Sequence, residues 1–202
     1  QLMADNARMI RDLESIVMKL TEIGTALSAE KEFSRLLEMI VLHARAMTNA
    51  DAGTLYLVDN DFLRFVIIQN DTMKISMGGS SAEKIPYPPI EIKESNVSGF
   101  AAMKGVSVNI PDVYGSVLFD FTGPKKFDAS TGYRSKSMLV LPLKNHENEV
   151  VGVIQLLNAK DPVTQESIAF SKESEKLADS VASQAAVAIT NLRRRSEIEE
   201  LN

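Results

Sequence analysis

Cysteine is absent from the 202 residues of this chain. That excludes disulfides, thiolate metal sites, cysteine nucleophiles and thioether-linked chromophores, and it fits a reducing, cytoplasmic compartment. Histidine occurs only as His43 and His146. They stand far apart, without cysteines or acidic spacing around them, and read as surface or half-buried side chains rather than metal or haem ligands. Apolar runs stay short, as at Val150-Val151 and Met138 to Leu141, where a membrane span needs about 20 such residues. No basic-then-apolar leader opens the chain. Excess positive charge is also lacking: the formal net charge is −5. A nucleic-acid surface needs a basic face, so none is expected.

What is present is ordinary for a soluble globular domain, with 45% apolar and 24% charged residues. The length suits one domain with additional elements. The chain begins and ends inside helix-like patterns and reads as a piece of a longer protein. Leu2, Asn6, Met9, Leu13, Ile16, Leu20, Ile23 and Leu27 recur at alternating steps of three and four. This is either a coiled-coil seam, in which Asn6 favours two strands in fixed register, or one amphipathic helix packed on its own domain. Ser28 has the character of an N-cap for a second helix that carries Phe33, Leu36, Leu37, Ile40, Val41 and Ala44 on one face and ends near Asn49.

Ala52 to Val58 and Phe62 to Gln69 are rich in strand formers and flank the Asp59-Asn60-Asp61 turn, a hairpin pattern. Glycines and prolines make residues 70–95 irregular. Asn96 to Lys104 reads as a short helix stopped by Gly105, and Val106 to Ile110 as a short strand. A loop over 111–135 follows, then strands at Ser137 to Leu143 and Val150 to Leu157 joined by a turn. Ser171 caps a long final helix with Leu177, Val181, Ala185, Ala188, Ile189 and Leu192 as its stripe. Hairpin-joined strands with helices at both ends indicate an α+β fold with an antiparallel sheet.

Several constellations fall short of a chemistry. Gly78-Gly79-Ser80-Ser81 lacks the Lys-Ser/Thr of a phosphate loop. Asp59 and Asp61 lack the glycine and distant glutamate of a calcium loop. Asp112, Asp120 and Asp128 read as turn formers. No Ser-His-Asp order places a nucleophile on a strand-to-helix elbow. Arg193 to Arg195, followed by Glu197, Glu199 and Glu200, is a solvated helix face.

The segments NIPDVY (Asn109 to Tyr114), FDASTGYRSKSMLVLPL (Phe127 to Leu143) and VVGVIQLLNAKD (Val150 to Asp161) stand in order ahead of a terminal helix. From about Thr21 to Leu192 the chain resembles a GAF domain, the small-molecule sensory module. The resemblance is strongest to GAF domains of cyclic-nucleotide phosphodiesterases and adenylyl cyclases, and to bacterial ones ahead of HD-type phosphohydrolases. It implies a six-stranded antiparallel sheet with ligand on one face, residues 1–20 as a signalling helix, 21–192 as the domain and 193–202 as the start of a linker helix. It places Ser98, Phe100 and Ala101 over the ligand, Asn109, Asp112 and Tyr114 in the adjoining turn, and Phe127 and Asp128 in a lid. Thr131 and Ser135 turn hydroxyls to the ligand, and Gln155 stands on the last strand where cyclic-nucleotide binders often carry Glu.

The cyclic-nucleotide signature of Asn, Lys, Phe, Asp and Glu is incomplete. Asn158, Phe170 and Glu175 match, but Ala159 and Ser174 replace the Lys and Asp of its internal ion pair; Lys160 and Glu173 lie next door. Losing both partners leaves no orphan charge. Chemically, Phe100, Phe127 and Tyr133 can sandwich a planar base. The backbone of Asn96 to Gly99 can meet a phosphate at a helix N-terminus, with Lys125-Lys126 nearby. The expected function is a non-catalytic regulatory sensor that binds a small molecule, with a cyclic nucleotide among the candidates. It would dimerise through its terminal helices and signal to an effector domain in the same chain. The alternative is a domain with a vestigial pocket that only dimerises and aligns effectors. Some free-standing members reduce methionine sulfoxide, but through cysteine.

Overall fold

The computed structural model describes residues 1–202. Helix α1 (Leu2–Ala29) runs past the expected Ser28 boundary, and α2 (Phe33–Thr48) starts from Glu32 without a side-chain cap. The cap rule lost here to packing. Ile23 and Leu27 continue the α1 stripe into the core, which holds the helix through Ser28. Asn49 ends α2 in the left-handed conformation (φ 54°).

The strands are β1 (Ala50–Asp59), β2 (Phe62–Asn70), β3 (Ile75–Gly78), β4 (Ile90–Glu91), β5 (Val108–Ile110), β6 (Met138–Lys144), β7 (Val150–Lys160) and β8 (Ser167–Ile168). Helices α3 (Val97–Lys104), α4 (Thr122–Thr131) and α5 (Lys172–Leu201) complete the chain. The expected α+β fold with an antiparallel sheet is present. Six strands form one path in the order β3-β2-β1-β7-β6-β5, and the two-residue strands β4 and β8 pair at its margins with β2 and β7. Residues 70–95, read as irregular, thus contain β3 and β4. The 111–135 segment, read as a loop, holds a 3-10 turn at Val113–Gly115 and the whole of α4.

Side-chain alternation divides the sheet into two faces. Leu55, Leu57, Leu139, Leu141, Leu143, Ile154 and Leu156 point to one side, where α1, α2 and α5 cover them in the larger core. Tyr56, Leu63, Met138, Val140 and Val153 point to the other, with Val97 and Ala101 of α3 and with Ile110, Val113 and Phe121. No helix is long and apolar enough to cross a membrane.

Candidate functional site

The face beneath α3 is the candidate site. Asn96 caps α3, its side-chain oxygen accepting from the Gly99 N–H at 2.6 Å, and Gly105 closes it at φ 63°. Gly99 is required by space. A Cβ there would lie 2.4 Å from the Lys93 carbonyl oxygen and 2.6 Å from its nitrogen, and both are backbone atoms. The docked helix buries Val97, Ser98 and Ala101 against the sheet.

Within this apolar layer sits a small polar group. Ser98 Oγ donates to Gln155 Oε1 at 3.1 Å. Gln155 is paired across the sheet with Thr54, and Tyr56, two residues on, lies buried on the same face. Burial pushes the Tyr56 phenol far above its ordinary range, so it stays protonated. Phe100 meets Phe119 edge-on (centroids 5.2 Å apart), and Phe119 meets Phe121 likewise at 6.3 Å, a row of rings leading from α3 to the start of α4.

A second group lies around α4. Asp112 Oδ1 accepts from the Tyr114 N–H at 3.0 Å. The Tyr114 hydroxyl donates to Asp128 Oδ2 at 2.7 Å, and the Arg134 guanidinium lies 3.6 Å from the centre of the Tyr114 ring. The hydrogen bond to the Asp128 carboxylate raises the Tyr114 pKa. Asp128 also accepts from the Ser135 N–H and from Ser135 Oγ, both at 2.9 Å. Thr131 Oγ1 donates to the Phe127 carbonyl at 2.6 Å and accepts from the Tyr133 N–H. Phe127 is half-buried, edge-on to Tyr133 at 6.1 Å.

The expected site residues therefore divide into two groups and an outlier. Ser98, Phe100, Ala101 and Gln155 converge beneath and on α3. Asp112, Tyr114, Phe127, Asp128, Thr131 and Ser135 gather at α4, where every hydroxyl among them already has a protein partner. Asn109 joins neither group. Its Nδ2 donates to the Phe170 carbonyl at 2.9 Å and to Glu175 at 3.3 Å, so it ties β5 to the start of α5.

Sequence reading missed a third group at the open end of β1 and β7. Asp51, 2% exposed, takes Lys160 Nζ at 2.6 Å on one oxygen and the Tyr133 hydroxyl at 2.7 Å on the other. Asn158 Nδ2 donates to that same hydroxyl at 2.9 Å. Burial alone would raise the Asp51 carboxyl, but the Lys160 ammonium and the Tyr133 hydroxyl outweigh it and hold the pKa below its ordinary value. Lys160 thus has a buried anionic partner, drawn from β1 and not from Glu173. The available signal was an aspartate near the start of a largely apolar strand.

Two cavities lie elsewhere. One of about 610 Å³ separates α2 from the loop after β3, and one of about 400 Å³ lies between α5 and the turn after α3. Both are walled mainly by polar side chains, including Glu38 and Arg35 in the first and Lys144 and Asp179 in the second.

The GAF domain profile matches residues 32–189. The dual 3',5'-cyclic-AMP and -GMP phosphodiesterase 11A of Takifugu rubripes is 25% identical over 176 residues, which are 84% of this chain and 18% of that protein. The dual 3',5'-cyclic-AMP and -GMP phosphodiesterase 11 of Drosophila melanogaster is 27% identical over 182 residues, 84% of this chain and 12% of its own. The chain spans less than a fifth of the length of these relatives. Among solved structures, the GAF domain of a phosphoenolpyruvate-protein phosphotransferase from Coxiella burnetii superposes with a TM-score of 0.68 at 16% identity, covering 90% of this chain and 96% of that one. A free methionine-R-sulfoxide reductase from Neisseria meningitidis gives 0.61 at 17% identity, with 87% and 89% covered. At these identities the likeness is one of fold. With the profile match spanning the sheet and most of α5, this chain belongs to the GAF domain family.

Proposed function

We propose that this chain is a regulatory, non-catalytic sensor domain of a larger cytoplasmic signalling protein. Its ligand is a small planar molecule with hydrogen-bonding edges, a cyclic nucleotide first among the candidates, held between the sheet and α3. The observation that carries the reading is the Ser98–Gln155 pair with Tyr56, a polar group set into an apolar layer beneath Phe100. A half-buried amide and buried hydroxyls amid apolar and aromatic walls suit a base that needs both stacking and directed hydrogen bonds. The relatives above are named as phosphodiesterases of cyclic nucleotides. Dimerised terminal helices relay occupancy to an effector elsewhere in the same protein. The ligand biases their pose only by its differential affinity for the two arrangements.

A second reading has one observation in its favour. The hydroxyls of Tyr114, Thr131 and Ser135 are already satisfied within the protein, which suits a closed domain that only aligns its effectors. Native mass spectrometry with cyclic AMP and cyclic GMP separates the two. One nucleotide per protomer is expected, weakened by Phe100→Ala with the fold retained. A dimer that takes up neither nucleotide would favour the aligning role. A thermal-shift titration checks the result, since ligand at 100 times its Kd stabilises by about 2.7 kcal/mol.

A further inference from the structure

We propose that the Asp128 carboxylate is a latch that holds α4 shut, rather than a contact for the ligand. A ten-residue surface helix normally docks through an apolar stripe. In α4 the single buried residue is Asp128, 6% exposed, and the other nine are half-buried or exposed. Little apolar surface secures the helix, so what secures it is the set of hydrogen bonds that Asp128 accepts. They come from the Tyr114 hydroxyl, the Ser135 N–H and Ser135 Oγ, at 2.7, 2.9 and 2.9 Å. The Ser130 hydroxyl only bonds the Phe127 carbonyl inside the same helix, and Thr131 Oγ1 bonds that carbonyl and the Tyr133 N–H just beyond the helix end, leaving the middle of α4 to Asp128.

The ends of the segment are fixed differently. Phe121, 3% exposed, is part of the apolar cluster under α3, and Tyr133, 7% exposed, is bonded to Asp51. Between them α4 hangs as a flap, with Gly132 at φ 78° turning the chain at its C-terminal end. Breaking the Asp128 bonds frees the flap without exposing core. Segments held this way open at a fraction of the global unfolding free energy. The carboxylate is the natural hub, because a charged acceptor makes stronger bonds than a neutral one. This assignment rests on the sensor reading for what lies under the flap, but the latch itself can be tested without any ligand.

The experiment is hydrogen exchange followed by mass spectrometry on the full chain, ligand-free, comparing the parent with Asp128→Asn, Tyr114→Phe and Ser135→Ala. The expected result is exchange in residues 122–131 faster by about tenfold in each variant, the weight of one hydrogen bond to a charged group. The β6 and β7 amides should keep the parent's protection. Unchanged exchange in α4 for the folded Tyr114→Phe and Ser135→Ala proteins would overturn the latch. So would a rise shared equally by β6 and β7, which would make Asp128 a part of the global fold. Should Asp128→Asn fail to fold, the other two variants decide. Failure of the protein to take up a nucleotide would count against the sensor reading and leave this result standing.

Discussion

Asp51 holds its charge almost out of water, and Lys160 and Tyr133 are what make that tolerable. Removing one member of a buried pair strands the other, which costs about 3–5 kcal/mol. Lys160 keeps 26% of its side chain exposed, so Lys160→Met belongs at the lower end, about 3 kcal/mol, read as a fall in the urea midpoint at constant slope. The pH dependence has a definite sign. The folded-state pKa of Asp51 lies below 3.8. The carboxylate's contribution is therefore complete above 3.8, its ordinary value, and is lost as pH falls through the lower folded value. Asp51→Asn should lower stability at neutral pH and flatten the acid limb of the stability curve from 3.8 downward through the folded value. An acid limb of unchanged steepness would place the proton uptake on other carboxylates.

At the level of elements, legibility followed local chemistry. Helix α3 was readable from Asn96 and Gly105 because both act on the backbone next to them. The reason for Gly99 was not readable, since it lies in the approach of Lys93 across the cap. Asn96→Ala should cost about 1 kcal/mol, as a lost N-cap does. Gly99→Ala should cost more, about 1–3 kcal/mol, because backbone atoms cannot step aside as a side chain can; thermal melts of the two variants give the order. Helix α4 was hidden because its sequence has no apolar stripe and opens with Gly123-Pro124. The proline is tolerated because first-turn N–H groups have no intrahelical acceptor to lose. Strands β3 and β4 were hidden for another reason. Both owe their form to pairing with β2 rather than to their own residues.

In the molecule as a whole, the order of elements was legible and the long-range pairings were not. Lys160 meets Asp51 because antiparallel register sets Ala50 opposite Ala159, a fact of topology that no spacing along the chain expresses. The α1 seam is a similar case. Its later half serves the domain: Ile23 and Leu27 are buried, Leu20 packs against the core, and the Leu20 carbonyl accepts from Gln184 Nε2 of α5 at 3.2 Å beside Gly24. Its earlier half is little covered: Leu2, Met9 and Leu13 of the seam, and Met3, Ile10, Val17 and Met18 beside it, are all more than half exposed. A stripe of that length suits a second copy of the same helix. The test must avoid Leu20, whose loss would damage the domain itself. Met9→Asp with Leu13→Asp should give folded monomers by light scattering, with the melting temperature of the domain little changed. Deleting residues 1–18 should do the same, because Leu20 is the first side chain of the seam that packs against the core and Ile23 the first that is buried. A truncated protein that still weighs as a dimer would move the interface onto α5, where Ile198 and Leu201 are the exposed apolar residues. A truncated protein that melts without cooperativity would make the first turns of α1 part of the core's support.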